Sequence, residues 1–262
     1  MIGFIGGGNM AEALIKGMTG SARDWEIIVS EPVEDGRAYL EKAYGIMTTA
    51  DNIEVVEASN IIVLAVKPQQ MDGVVEGIKS SVTPDKTVVT IAAGIKLSYY
   101  ENRLNTTRIV RVMPNMGALA QESMSVMSLC DCFTGREINT VKEMLMASGR
   151  VLALPEGQMD AVTAVSGSGP AFVALFADAM VKAGVSLGLR EQDAMELVVQ
   201  TFTGTAKLLD GQLQPGKLIE MVRSPGGTTA EGLKSFEGDG LHAIVARALK
   251  AASDRSAELA RE

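Results

Sequence analysis

The chain has 262 residues, with 24 Lys and Arg against 32 Asp and Glu, for a formal net charge of −8. A field of that sign repels phosphate backbones, and 4% aromatic content leaves no stacking platform, so a general nucleic-acid binder is excluded. With 47% hydrophobic residues there is apolar material for one large domain or two modest ones, which excludes a disordered tail.

Taken in chain order, Ile2–Ile5 reads as a first strand, followed directly by Gly6-Gly7-Gly8-Asn9-Met10-Ala11 and a helical stretch from Met10 to Met18. The start lacks the charged residues and apolar stretch of a signal peptide. The glycine run fits G-x-G-x-x-A, the dinucleotide fingerprint. Gly6 permits the tight turn, Gly8 lets backbone approach a pyrophosphate, and Ala11 keeps helix and sheet close. The helix start then offers free N–H groups and a positive dipole end.

A second strand, Glu26–Val29, runs into Ser30-Glu31-Pro32, placing Glu31 about 20 residues beyond the glycines, where an acidic side chain receives the ribose diol. That favours NADH. Against it, Ser30 offers a hydroxyl to a phosphate and Arg37 lies nearby in sequence, so NADPH stays open. Strands Ile61–Val66, Thr87–Ile91 and Arg108–Met113 follow, with a helical stretch Gln69–Ser80 between the first two. All five runs are nearly continuously apolar, as strands buried on both faces read. Strand–helix alternation predicts an α/β fold with a Rossmann-like, doubly wound parallel sheet over residues 1–153. Ligands of such sheets lie beyond the carboxyl ends of the strands, so Ala65-Val66-Lys67-Pro68 and Ala92-Ala93-Gly94 are expected to border the cofactor. Lys67 reads equally as a phosphate or ribose contact and as a solvated loop lysine.

Cys130 and Cys132 form an isolated C-x-C, unsuited to a four-ligand zinc site, and read as two thiols in a reducing cytoplasm. His242 is the single histidine, so a multi-histidine metal site is impossible, no metal is expected, and His242 reads as a surface or packing residue.

Beyond about residue 155 the β signature stops. Ala171–Leu187, Glu191–Leu209, Lys217–Val222, Ala230–Glu237 and Leu241–Leu259 read as helices, giving an all-α domain over 154–262. Phe172, Val173, Leu175, Phe176, Met180 and Val181 cannot share one helical stripe, so part of their cover is expected from a second copy. Ala171–Val181, the longest apolar-leaning run, is broken by Asp178 and reads as too short to span a membrane. Ser168 is placed to cap this helix, or to line a substrate, and Pro170 to sit in its first turn. Ser224-Pro225-Gly226-Gly227-Thr228-Thr229 precedes a helix and forms a concave set of N–H groups suited to an anion.

These motifs resemble the pyrroline-5-carboxylate reductase family almost end to end. The markers are Phe4-Ile5-Gly6-Gly7-Gly8-Asn9-Met10, Ala65-Val66-Lys67-Pro68, Ile91-Ala92-Ala93-Gly94, Met113-Pro114-Asn115, Ser166-Gly167-Ser168-Gly169-Pro170-Ala171 and Ser224-Pro225-Gly226-Gly227-Thr228-Thr229. The resemblance implies NADH- or NADPH-dependent reduction of 1-pyrroline-5-carboxylate to L-proline by a cytoplasmic homodimer, or a larger homo-oligomer, built through the helical domain. It also implies Thr229 as the catalytic hydroxyl near the ring nitrogen, with Ser224, Gly226, Gly227 and Thr228 on the carboxylate. Asn9, Met10, Asn52, Pro114 and Asn115 join the expected cofactor contacts. Met116-Gly117 departs from the family's usual Thr-Pro, Phe172 from its commoner Tyr, and Glu31 from its small polar or basic residue. A β-hydroxyacid dehydrogenase is the nearest enzyme alternative, but its lysine position holds Val173. A nicotinamide-binding protein without turnover has little use for the 224–229 loop.

Overall fold

The computed structural model describes residues 1–130 and 136–259. By compactness the chain forms two units, Met1–Ser168 with the segment from Ala251 onward, and Gly169–Lys250. This differs from the expected junction at 153/154 for a physical reason. Met159 and Val162 pack with Val126 beside Met113, Met124 and Leu154, and the Ser256 hydroxyl donates to Asp160 at 2.7 Å.

The first unit carries eight strands: β1 (Ile2–Ile5), β2 (Ile27–Ser30), β3 (Met47–Thr49), β4 (Ile61–Leu64), β5 (Thr87–Thr90), β6 (Ile109–Met113), β7 (Ser123–Leu129) and β8 (Gly149–Ala153). Their order in the sheet is β3-β2-β1-β4-β5-β6-β7-β8. Every neighbouring pair is parallel except β6–β7, so the last two strands run against the other six. The five expected strands are present; β3, β7 and β8 were not expected.

Helices α1 (Asn9–Thr19), α2 (Glu34–Tyr44), α3 (Asn52–Ala58), α4 (Met71–Ile78), α5 (Leu97–Glu101) and α6 (Arg136–Met146) cover both faces of this sheet. Side chains alternate along each strand, so one sequence run feeds two cores. Val63 joins Phe4, Leu14, Val29, Met144 and Leu145 on one face. Its neighbours Ile62 and Leu64 join Val55, Val75, Ile78 and Ile109 on the other. This double burial is why the strands read as unbroken apolar runs.

A helical run then continues through α7 (Met159–Val162), a π-turn over Thr163–Gly167, and α8 (Gly169–Ser186). Pro170 has no N–H to give the carbonyl four residues back, and the turn before it widens, with Ser168 N–H bonding Thr163 O at 2.8 Å. Ser168 stands as the residue between the π-turn and α8, with φ −82° and ψ −21°. Glu156–Ser186 is long and apolar enough to cross a membrane by length and composition.

The second unit contains α8 with α9 (Glu191–Asp210), α10 (Pro215–Val222), α11 (Thr228–Gly238) and the start of α12 (Leu241–Leu259). Its buried apolar core is Val181, Ala194 and Val198, flanked by Ala177, Met180 and Phe202. Phe172, Val173, Leu175 and Phe176 of α8 are exposed in the single chain. His242 is also exposed. The expectation for the Cys130-x-Cys132 pair falls on Cys132, which lies outside the described residues.

Candidate functional site

The glycine turn between β1 and α1 is built as a ligand cradle. Gly6 has φ +97°, a conformation L side chains rarely adopt, and a Cβ there would stand 3.0 Å from Val66 and 3.1 Å from the Ala65 carbonyl. Gly8 is the opposite case: its backbone is extended and a Cβ would find open space within 4 Å. Gly8 O accepts the N–H of Glu12 at 2.9 Å, which leaves the N–H groups of Asn9, Met10 and Ala11 without intrahelical partners. Open space facing three free donors at a helix start fits a diphosphate.

A cavity of about 500 Å³ opens beside this turn. Gly6, Gly8, Ser30, Glu31, Asn52, Ala65, Val66 and Lys67, all expected cofactor residues, line it. So do Pro32, Val33, Ala50, Gln70 and Val74, which sequence reasoning missed because no motif marks their approach. Lys67 is exposed and makes no ion pair among the described residues, leaving its charge free for an anion.

Glu31 is held on the rim of that cavity. Its Oε2 accepts the N–H of Gly7 at 3.1 Å and its Oε1 that of Val33 at 3.1 Å. Each oxygen keeps a further lone pair, so the carboxylate remains an acceptor while being fixed in place. Arg37, proposed as a phosphate partner, donates instead to the carbonyls of Glu31 at 2.7 Å and Pro32 at 3.0 Å. Ser30 is buried, and its hydroxyl donates to Asn52 Oδ1 at 2.6 Å. That corrects the expectation of a Ser30 hydroxyl free to donate to phosphate. The serine and Asn52 instead tie the end of β2 to the start of α3.

The remaining expected residues are not among those lining this cavity. Met10 and Ala11 belong to α1, where Ala11 is buried against the sheet. Pro68 lines a separate cavity with Tyr99 and Arg103. Ala92-Ala93-Gly94 and Pro114-Asn115 follow β5 and β6, whose carboxyl ends lie on the same sheet edge as those of β1 and β4.

Asn115 is already heavily engaged. Its Oδ1 accepts the N–H groups of Gly117 at 3.1 Å and Met124 at 3.3 Å, and its Nδ2 donates to Ser166 Oγ at 3.2 Å. This explains the Met116-Gly117 departure. Gly117 N–H makes a bond that proline cannot, and a Cβ at 117 would stand 2.5 Å from the Glu122 carbonyl.

In the helical unit, Ser224–Thr229 forms the turn into α11. Gly226 has φ +69°. Gly227 packs so closely on Ser224 that a Cβ would collide with the serine Oγ, and its N–H closes the turn on Ser224 O at 3.0 Å. The first helical bonds are Ala230 N–H and Glu231 N–H to Gly227 O. Among the described residues the N–H groups of Gly226, Thr228 and Thr229 have no internal acceptor, and the Ser224, Thr228 and Thr229 hydroxyls stand beside them. The turn offers unpaired donors suited to a small carboxylate, and Ser224 and Pro225 line a cavity with Arg223, Lys234, Glu220 and Glu237.

Comparisons with known proteins bear on the family of the chain. The family model described as pyrroline-5-carboxylate reductase dimerisation matches residues 156–259, and that described as NADP oxidoreductase coenzyme F420-dependent matches 1–94. The chain is 40% identical to a pyrroline-5-carboxylate reductase of Methanosarcina acetivorans, over 100% of this chain and 98% of that one. It is 38% identical to that of Pisum sativum, over 98% and 95%. Among solved structures, the pyrroline-5-carboxylate reductase of Coxiella burnetii superposes with a TM-score of 0.92 at 32% identity, covering 98% of this chain and 97% of that one. The Plasmodium falciparum pyrroline carboxylate reductase, with NADP bound, gives 0.88 at 29%, covering 99% and 97%.

Proposed function

The chain belongs to the pyrroline-5-carboxylate reductase family, and from that premise we propose how its residues divide the work. It is an oxidoreductase that uses NADH or NADPH to reduce the C=N bond of 1-pyrroline-5-carboxylate, giving L-proline in the last step of proline biosynthesis.

When bound, the reduced nicotinamide supplies the hydride. The N–H groups of Asn9, Met10 and Ala11 hold the diphosphate in the space left open at Gly8, with Gly6 setting the turn. Glu31 takes the ribose diol and repels a 2′-phosphate, so NADH is preferred; its fixed carboxylate supports this. Ala65, Val66 and Lys67 flank the cofactor, with Ser30 and Asn52 holding the end of β2. Pro68, Ala92, Ala93, Gly94, Pro114 and Asn115 border its nicotinamide half. Residues 1–153 bind the cofactor, and 154–262 dimerise and bind substrate. The enzyme works in the cytoplasm as a homodimer, itself able to assemble further.

Ser224, Gly226 and Thr228 hold the substrate carboxylate, Gly227 shapes the turn by closing its N–H on the Ser224 carbonyl, and Thr229 holds the proton at the ring nitrogen. The free N–H groups at the start of α11 carry this reading: they supply a local anion site in a chain of net charge −8. A protonated imine needs orientation more than a strong acid, so an ordinary hydroxyl suffices.

Steady-state NADH oxidation tests the assignment. Thr229→Ala is expected to lower turnover by about 10²-fold with the fold intact, the low end for general acid–base help. Unchanged kinetics would remove Thr229 from this role. The same assay run with both cofactors reads the preference, and a higher kcat/KM for NADPH would overturn it.

A further inference from the structure

Two polar contacts in the sheet unit, one buried and one part-buried, have no part in the chemistry above. Arg111 lies between Val110 and Val112 in the middle of β6 and is 4% exposed. A guanidinium there requires a partner, and its NH1 donates to Glu156 Oε1 at 3.2 Å. The same oxygen accepts the N–H of Leu97 at 2.7 Å, the first residue of α5.

Beside Arg111 in the ladder stands Thr90, at the end of β5. Its Oγ1 lies 2.6 Å from the hydroxyl of Tyr100 and accepts the N–H of Ala92 at 3.3 Å. Tyr100 is fully buried. The two contacts fasten the two ends of one segment, from Ala92 to Leu97. That segment carries Ala92-Ala93-Gly94 beyond the carboxyl end of β5, with Gly94 at φ +81°. A loop that must present backbone to a ligand binds more tightly when its ends are already fixed, because less ordering entropy is lost on association.

We propose that Glu156 is a positioning residue for the cofactor, holding the 92–97 loop through the Leu97 N–H while Arg111 holds its carboxylate. This rests on the cofactor assignment above. Glu156 is also the first residue matched by the dimerisation family, so a residue of that segment sets a loop of the cofactor domain.

Two variants of the full-length enzyme separate positioning from mere stability. Glu156→Asp keeps the charge near Arg111 but withdraws the oxygen from Leu97. Glu156→Gln keeps an acceptor oxygen for Leu97 but leaves Arg111 without its counter-charge. Glu156→Asp is expected to raise the KM for NADH and its Kd, titrated by NADH fluorescence, by about tenfold, as for one lost charge-assisted hydrogen bond. The KM for the imine stays unchanged. Glu156→Gln is expected to lower Tm while both KM values remain near wild type. The proposal is overturned if Glu156→Asp binds NADH as wild type does, if both KM values rise together, or if Glu156→Gln loses cofactor affinity as Glu156→Asp does. Failure of wild type to turn over pyrroline-5-carboxylate would instead strike the functional reading, and the NADH titration would still decide the role of Glu156.

Discussion

Every residue of β4 is buried, sandwiched between helices of the same chain, whereas the 18-residue helix α8 buries one side chain, Val181. The sheet unit fills two cores from its own sequence; the helical unit has three fully buried apolar residues and leaves Leu175 68% and Leu187 87% exposed. Scattered exposed leucines are ordinary, but a helical unit this poor in core cannot offset its conformational entropy alone. The difference teaches that residues 1–168 specify a fold, while 169–250 specify a fold together with a partner surface, in keeping with the dimerisation family matched over 156–259.

The largest effect is expected where that surface is broken. Leu175→Glu puts a charge in each copy's apolar face and should raise the dimer Kd by at least about 10²-fold, from two lost leucine burials. Sedimentation would show monomers, activity would fall with them, and Trp25, in the sheet unit, would keep its fluorescence. A fully active monomer would break the comparison.

Gly8→Ala should produce a smaller effect confined to the other region. The fold has room for the methyl, so Tm should hold. The diphosphate space is invaded, so the KM for cofactor should rise about tenfold, the cost of a displaced charge-assisted contact. A lowered Tm with unchanged KM would mean that Gly8 serves the fold.

The smallest effect is alkaline. All four tyrosines, Tyr39, Tyr44, Tyr99 and Tyr100, lie in the sheet unit. Burial, with a hydrogen bond to Asp72, pushes Tyr99 up from 10.0 to about 12, and burial raises Tyr44 and Tyr100 as well. A phenol whose folded pKa is raised contributes stability fully present below pH 10 and lost as pH climbs toward about 12. Thermal melts across that window should show the sheet unit weakening first. Simultaneous loss of both units would blur the distinction.

Much of this was legible in sequence, for identifiable reasons. Doubly buried strands such as Ile61–Leu64 announce themselves as apolar runs, and Gly6 and Gly8 are spaced by the demands of a phosphate-facing turn. β7 was hidden because Ser123-Met124-Ser125-Val126-Met127-Ser128-Leu129 buries serines in place of β-branched residues. β3 is a three-residue strand at the sheet's edge, and β8, at the opposite edge, is mostly exposed. The site was legible wherever backbone made it and obscure wherever side chains meet across long sequence distance. Ser30 finding Asn52, and Arg111 finding Glu156, depend on packing that no local spacing records.

A crystal structure of the oligomer with cofactor and L-proline bound bears on the account most directly. It should place the proline carboxylate within hydrogen-bonding distance of the N–H groups of Gly226, Thr228 and Thr229. A carboxylate bound away from that turn would contradict the assignment on which the substrate chemistry stands.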